Sequence, residues 1–182
     1  MSNFSKSLLK IAGWTCVTTV HEPKKSVICV APHTSNWDYV LGQLYYWSQG
    51  RKAKFLIKKS WFVFPLGAIF RALGGVPVDR SAKSSTVEQM VAEFEKHENF
   101  HLAITPEGTR KLVKKWKMGF YHIAIAANVP IQLAYFDYKK KELGITKLLA
   151  PTGNEQEDMK EIYKYYENKT GRFPDNFYLP KI

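Results

Sequence analysis

The chain has 182 residues, of which 45% are apolar, 24% charged and 14% aromatic. This length suits one domain of ordinary size, and this composition excludes a disordered or low-complexity chain. Two cysteines, Cys16 and Cys29, have neither C-x-x-C spacing nor histidines clustered beside them. That excludes a zinc site or a disulfide scaffold and reads as two small hydrophobes in a reducing compartment. Lys and Arg number 27 against 16 Asp and Glu, a net charge of +11, with +12 on residues 1–153 and −1 on the remainder. A field of that sign favours an anionic partner: nucleic acid, a membrane surface, or an acidic or phosphorylated substrate.

Residues 1–13 have no clean apolar stretch or small-residue cleavage site and do not read as a signal peptide. Phe4, Leu8, Ile11 and Ala12 recur at helical spacing beside Lys6 and Lys10. The pattern predicts a short amphipathic helix, able either to lie on an anionic membrane or to dock on the domain's own core. A core follows over 14–150. Trp14 to Val20 and Ser26 to Ala31 are β-rich and read as a strand pair joined by a short link, with Val27 to Val30 continuously apolar. A helix is expected over 39–47, a strand over 54–57, a Pro- and Gly-punctuated apolar segment next, and a strand within 74–80. The longest apolar run, 61–70, contains Pro65 and falls well short of the roughly 20 residues a spanning helix needs. Ser85 and Glu88 form a capping box for a helix over 85–97, on which Val87, Met90, Val91 and Phe94 make one apolar face. Strands over 100–105, 129–138 and 145–149, a helix over 119–127 and a closing helix over 155–168, within a C-terminal part spanning 151–182, complete the chain. Strands alternating with helices predict a single α/β domain with a central, largely parallel sheet flanked by helices. Ligands of such sheets gather at the carboxyl ends of the strands, where His33 and Glu107 both fall.

His33 and Asp38 are spaced H-x-x-x-x-D. With His33 in the loop after a strand and Asp38 in the first helical turn, the carboxylate can hold one ring nitrogen and leave the other as a base. Ser35 and Asp38 also fit plain helix capping, so the pair by itself does not assign a site. Glu107, Gly108, Thr109 and Arg110 follow an apolar strand, and the glycine allows close backbone approach while the arginine offers a fork for phosphate. Asp79 and Arg80 stand past another strand end. Basic clusters at 51–59 and 111–117, including Lys58 and Lys117, flank these positions, yet no zinc finger, RNP pair or KH loop is present, so nucleic acid is not the expected partner. No G-x-S-x-G, Walker loop, G-x-G-x-x-G or H-E-x-x-H occurs. His21, His97, His101 and His122 lack a comparable carboxylate partner in sequence.

Four blocks in one order, His33-Thr34-Ser35-Asn36-Trp37-Asp38, Gly74 to Arg80, Thr105-Pro106-Glu107-Gly108-Thr109-Arg110 and Val129-Pro130-Ile131, resemble the motifs of the glycerolipid acyltransferase family. Lys58-Lys59 and Lys117-Met118-Gly119 resemble its subsidiary features, and the likeness covers roughly residues 12–135. Pro77 and Thr105 depart from it, at positions expected to bear on the acceptor pocket. The resemblance implies a glycerolipid acyltransferase-like fold and transfer of a fatty acyl group from acyl carrier protein or coenzyme A to the hydroxyl of a lysophosphatidate-like acceptor. It makes His33 the general base, Asp38 its orienting partner, and Arg80, Glu107, Gly108, Thr109, Arg110, Lys58 and Lys117 substrate-binding. It requires no metal or bound cofactor, and it implies a cytoplasmic protein on the inner face of an anionic membrane. The aromatic segments 45–47 and 61–64 are expected either to line an acyl groove or to belong to the core. Two alternatives stay open: the same chemistry on another lysolipid, such as an amino-acid-linked one, and a non-catalytic basic module that binds anionic membrane or nucleic acid.

Overall fold

A computed structural model describes residues 2–79, 81–82 and 84–180. The elements in order are α1 (Ser2–Ile11), β1 (Thr15–Thr18), β2 (Lys25–Ala31), α2 (Trp37–Ser48), β3 (Lys54–Lys58), α3 (Leu66–Ala72) and β4 (Gly75–Val78). They continue with α4 (Thr86–Lys96), β5 (Phe100–Ile104), α5 (Gly119–Ala126), β6 (Ile131–Asp137), β7 (Glu142–Leu149) and α6 (Glu155–Tyr166). The strands form one seven-stranded sheet in the order β1-β7-β6-β2-β5-β3-β4. The five strands from β6 to β4 run parallel, β7 runs antiparallel to β6, and β1 follows β7.

The unbroken apolar run of β2 has a direct cause. Side chains alternate across a strand, so Val27, Cys29 and Ala31 enter one core layer with Phe94, Phe120, Ile123, Ile162 and Tyr166. Ile28 enters the other with Leu9, Leu41, Tyr45 and Tyr46, and Val30 packs against that layer. Helices α1 and α2 therefore cover one face of the sheet, and α4, α5 and α6 the other. The expected pairing of β1 with β2 does not occur, because β7 and β6 lie between them. A strand buried on both faces needs hydrogen-bonding neighbours on both edges, and β2 finds them in β5 and β6. The short, half-exposed β1 takes the sheet edge instead.

The capping box of α4 forms as expected: Ser85 Oγ accepts the Glu88 N–H at 3.1 Å, and the Glu88 carboxylate accepts the Ser85 N–H at 2.8 Å. Helix α3 is an addition to the elements expected, since Pro65 and Gly67 punctuate its approach and first turn and its apolar residues mostly face outward. Helix α1 docks on the domain through buried Ser5 and Leu9, which leaves Phe4, Leu8 and Ile11 exposed. Among the described residues no helix is long and apolar enough to cross a membrane.

Candidate active site

His33 follows β2 by two residues and Glu107 follows β5 by three. Because β2 and β5 are paired neighbours with Cys29 opposite Ile104, both side chains arrive at the same carboxyl-end crest of the sheet. Tyr138 follows β6, the neighbour on the other side of β2.

Asp38, in the first turn of α2, is 2% exposed and receives four protein donors. Its Oδ2 accepts the backbone N–H groups of Thr34 and Ser35, each at 2.9 Å, and pairs with His33 Nδ1 at 3.0 Å. Its Oδ1 accepts the Tyr138 hydroxyl at 2.6 Å. Burial and this bond push the Tyr138 phenol far above its usual range, which keeps it protonated and donating. A carboxylate can only accept, so His33 Nδ1 carries the hydrogen and Nε2 keeps its lone pair. The same Asp38 oxygen ties the loop before α2 to the first helical turn and fixes the ring, whereas the expected capping is not seen, since the N-cap Asn36 makes no side-chain cap bond. The His33 side chain is 19% exposed, and its Nε2 has no protein partner among the described residues.

The His33 ring opens onto a cavity of about 500 Å³. Its walls are mostly apolar, with Tyr39, Phe55, Leu56, Ile104 and Phe120 among them, and Thr105, Gly108 and Lys117 add polar groups. Gly108 has φ +63°, and a Cβ there would lie 2.8 Å from Lys117 Nζ. The glycine therefore serves both a left-handed turn and the close passage of the lysine stem. Lys117 is itself tied to this turn by its N–H, which donates to the Pro106 carbonyl at 2.8 Å.

Glu107 is placed differently from a substrate-facing carboxylate. It is 2% exposed, and its Oε1 accepts the His33 backbone N–H at 2.8 Å. Burial raises its pKa, an effect that the His33 N–H partly offsets. Its other oxygen is buried without a protein partner. Arg110 is exposed, bonds Asn36 Oδ1, and lines a separate cleft with Arg172 rather than the His33 cavity. Thr109 stands beside it, accepting the Lys111 N–H at 3.4 Å. Lys58 lines another groove, with Lys59 and Asp79 paired at 3.0 Å. Arg80 lies outside the described residues.

Of the two roles open to the aromatic segments, segment 45–47 takes the core and segment 61–64 takes neither. Tyr45 and Tyr46 are buried in the core layer under α2, while Trp61, Val63 and Phe64 point outward. The apolar walls come from β2, α2, β3, β5, α5 and β6, whose residues reach the crest of the sheet. Tyr138, Asn36 and Arg172 belong to the site's surroundings and were missed. Tyr138 had one usable signal, its position at the end of an expected strand on the His33 side of the sheet.

No curated protein sequence matches the chain. Among solved structures, the 1-acyl-sn-glycerophosphate (LPA) acyltransferase PlsC from Thermotoga maritima is similar, with a TM-score of 0.59 and 17% sequence identity. That match covers 90% of this chain and 74% of the other, and at this identity it establishes a shared fold. The Acyltransferase family model matches residues 15–135, a span that runs from β1 into β6 and contains His33, Asp38 and Glu107. With a match over well over half its length, the chain belongs to the acyltransferase family and is an enzyme of acyl transfer.

Proposed function

We propose that the enzyme acylates the free hydroxyl of a lysophosphatidate-like glycerolipid, using a fatty acyl thioester of acyl carrier protein or coenzyme A. His33 Nε2 takes the acceptor's hydroxyl proton as the oxygen attacks the thioester carbonyl. The tetrahedral adduct then collapses with loss of the C–S bond, and the imidazolium returns the proton to the departing thiolate. Asp38 holds the Nδ1–H tautomer and stabilises the imidazolium, a role worth about 10²–10⁴ in rate for a well-placed base. The observation that carries this reading is the free Nε2 of an anchored histidine at the mouth of an apolar cavity.

A direct attack fits the surroundings of His33. Ser35 Oγ accepts the Trp37 N–H at 3.2 Å and, among the described residues, makes no hydrogen bond to the His33 ring that would activate it. Cys29 is fully buried, and burial pushes its thiol far above its usual range. Neither is an available nucleophile. Glu107 acts by fixing the His33 backbone, and Lys117 brings a cation to the cavity for an anionic substrate group. Arg110 with Thr109 beside it, and Lys58, stand in neighbouring clefts, where they add positive charge around the site for an anionic substrate, and the family resemblance assigns Arg80 the same role. Two exposed apolar surfaces support work at an anionic membrane on the inner face: Phe4 and Ile11 on α1, and Trp61, Val63, Phe64, Leu66 and Ile69 around α3, beside Lys58, Lys59 and Arg71.

Mass spectrometry of lipid products tests the assignment. Purified protein receives acyl carrier protein and coenzyme A thioesters with a panel of lysolipids in anionic vesicles, wild type beside His33→Ala. Acylated lysophosphatidate that disappears in His33→Ala is the expected result. Product with another lysolipid alone replaces the acceptor, and no product across the panel overturns the reading.

A further inference from the structure

Arg172 belongs to none of the four motif blocks and lies beyond the residues that match the family. Its segment is nonetheless fastened to the loop that carries His33. The Tyr138 backbone N–H donates to the Thr170 carbonyl at 2.8 Å, and the Phe173 backbone N–H donates to Thr34 Oγ1 at 3.2 Å. Between these two bonds Gly171 is buried so closely that a Cβ would sit 2.8 Å from Thr34 Oγ1 and 3.2 Å from Pro32 Cβ. Residue 172 is therefore held beside the start of α2 by contacts on both sides of it.

There the Arg172 guanidinium lies over the Trp37 ring, 5.8 Å from its centroid. It shares a cleft of about 400 Å³ with Arg110, Thr34, Ser35 and Asn36. Arg110 is held in that cleft by its bond to Asn36 Oδ1. Among the described residues neither guanidinium has a carboxylate partner, although six lysine or arginine side chains pair with carboxylates elsewhere. Two unneutralised forks facing one cleft match a tetrahedral phosphate oxyanion, which guanidinium groups bind with paired hydrogen bonds. The cleft adjoins His33 through Thr34, the next residue of the same loop.

We propose that Arg172 joins Arg110, to which the family resemblance already gives a substrate-binding role, in a phosphate subsite, so that the C-terminal segment supplies a substrate-binding residue. The proposal rests on the acyl-transfer reading above for the identity of the molecule that carries the phosphate. Two sources share this chemistry: the phosphomonoester of the acceptor and the phosphate of the donor's pantetheine arm.

Steady-state kinetics of wild type, Arg172→Ala and Arg172→Lys separate them, with lysophosphatidate or monoacylglycerol as acceptor and the thioester varied independently. Arg172→Ala is expected to raise one Michaelis constant about 10- to 100-fold, the usual effect of losing a charge-assisted hydrogen bond, with kcat within about threefold. A rise confined to lysophosphatidate, absent with monoacylglycerol, assigns the acceptor; a rise confined to the thioester assigns the donor. Arg172→Lys recovers part of the loss. Gly171→Ala, which displaces the arginine without removing it, shifts the same constant. In parallel, glycerol 3-phosphate is titrated against wild type and Arg172→Ala and followed by phosphorus NMR, and weaker binding to the variant is expected. If wild type acylates no lipid but binds glycerol 3-phosphate in an Arg172-dependent way, the acyl-transfer substrate assignment fails and the subsite stands. If both Michaelis constants stay within twofold, or if glycerol 3-phosphate binds both proteins equally or neither, the subsite is overturned.

Discussion

Two histidines meet carboxylates at opposite ends of the same sheet. At the carboxyl end, His33 is tied to Asp38 and opens onto a cavity of about 500 Å³. At the other end, His101 Nδ1 lies 2.8 Å from Ser26 Oγ and His101 Nε2 lies 3.6 Å from Glu22 Oε1, a serine-histidine-acid set by composition. Gln132 donates to the same Ser26 hydroxyl at 2.9 Å, Glu22 is also paired with Arg51, and Ser26 is completely buried. The space beside this network is about 10 Å³, too little for any substrate. Burial lowers His101 to about 4, which makes it a poor base at neutral pH. Residue types alone therefore do not make a catalytic set. At His33 one nitrogen is spoken for and the other meets open space, whereas at His101 both faces are closed by protein.

The contrast breaks most visibly at Asp38. Asp38→Asn leaves one oxygen where four donors converge on two, and it permits the wrong tautomer of His33; kcat is expected to fall about 10²–10⁴-fold. Single-turnover rates at saturating lipid check this, and a loss under tenfold would remove Asp38 from the proton-transfer assembly. Glu107 sharpens the comparison by separating charge from geometry. Glu107→Gln keeps an oxygen for the His33 N–H and is expected to retain kcat within about tenfold. Glu107→Ala strands that N–H and costs about 1–3 kcal/mol of stability, read from denaturant midpoints. Equal damage from both variants would show that the carboxylate's charge, not its acceptor oxygen, matters. The smallest effect on turnover belongs to His101→Gln, with kcat within about twofold of wild type.

That last variant has a pH signature. The folded His101 is held at about 4, against an ordinary 6.5, so the unfolded chain binds more protons between those values. Its contribution to stability is full above about pH 6.5 and is lost as pH falls to about 4. Glu22, whose pKa burial raises, acts in the opposite sense as pH rises through its titration. Melting temperatures from about pH 4 to 7 should therefore fall less steeply towards acid for His101→Gln than for wild type. Parallel curves would contradict the buried neutral histidine.

What was legible in the sequence was what local chemistry determines. The α4 capping box, the doubly buried β2 and the arrival of His33 and Glu107 at strand ends all follow from residues within one element. The partner of β1 did not, because nothing in 15–18 says that two strands from the far end of the chain will take the place beside β2. The same limit hid Tyr138 and the segment of Arg172, whose bonds to the His33 loop and the start of α2 join residues 100 and 139 positions apart. The choice between groove and core for the aromatic segments stayed open in the sequence for another reason. Tyr45 and Tyr46 look like groove aromatics, but their spacing on α2 turns them into the core, and the outward Trp61 and Phe64 have no inward face to offer.

The placement of β1 also sets an order on the making of this protein. Thr15 pairs with Glu142, and Thr18 with Ile145. Within this sheet β1 is synthesised before every other strand and joined after them, since the segment it pairs with follows roughly 6–25 s later at typical elongation rates. Through that interval β1 waits for its partner strand, while α1 already has α2 to pack on, so the helix contact rather than the sheet holds this segment to the folding domain.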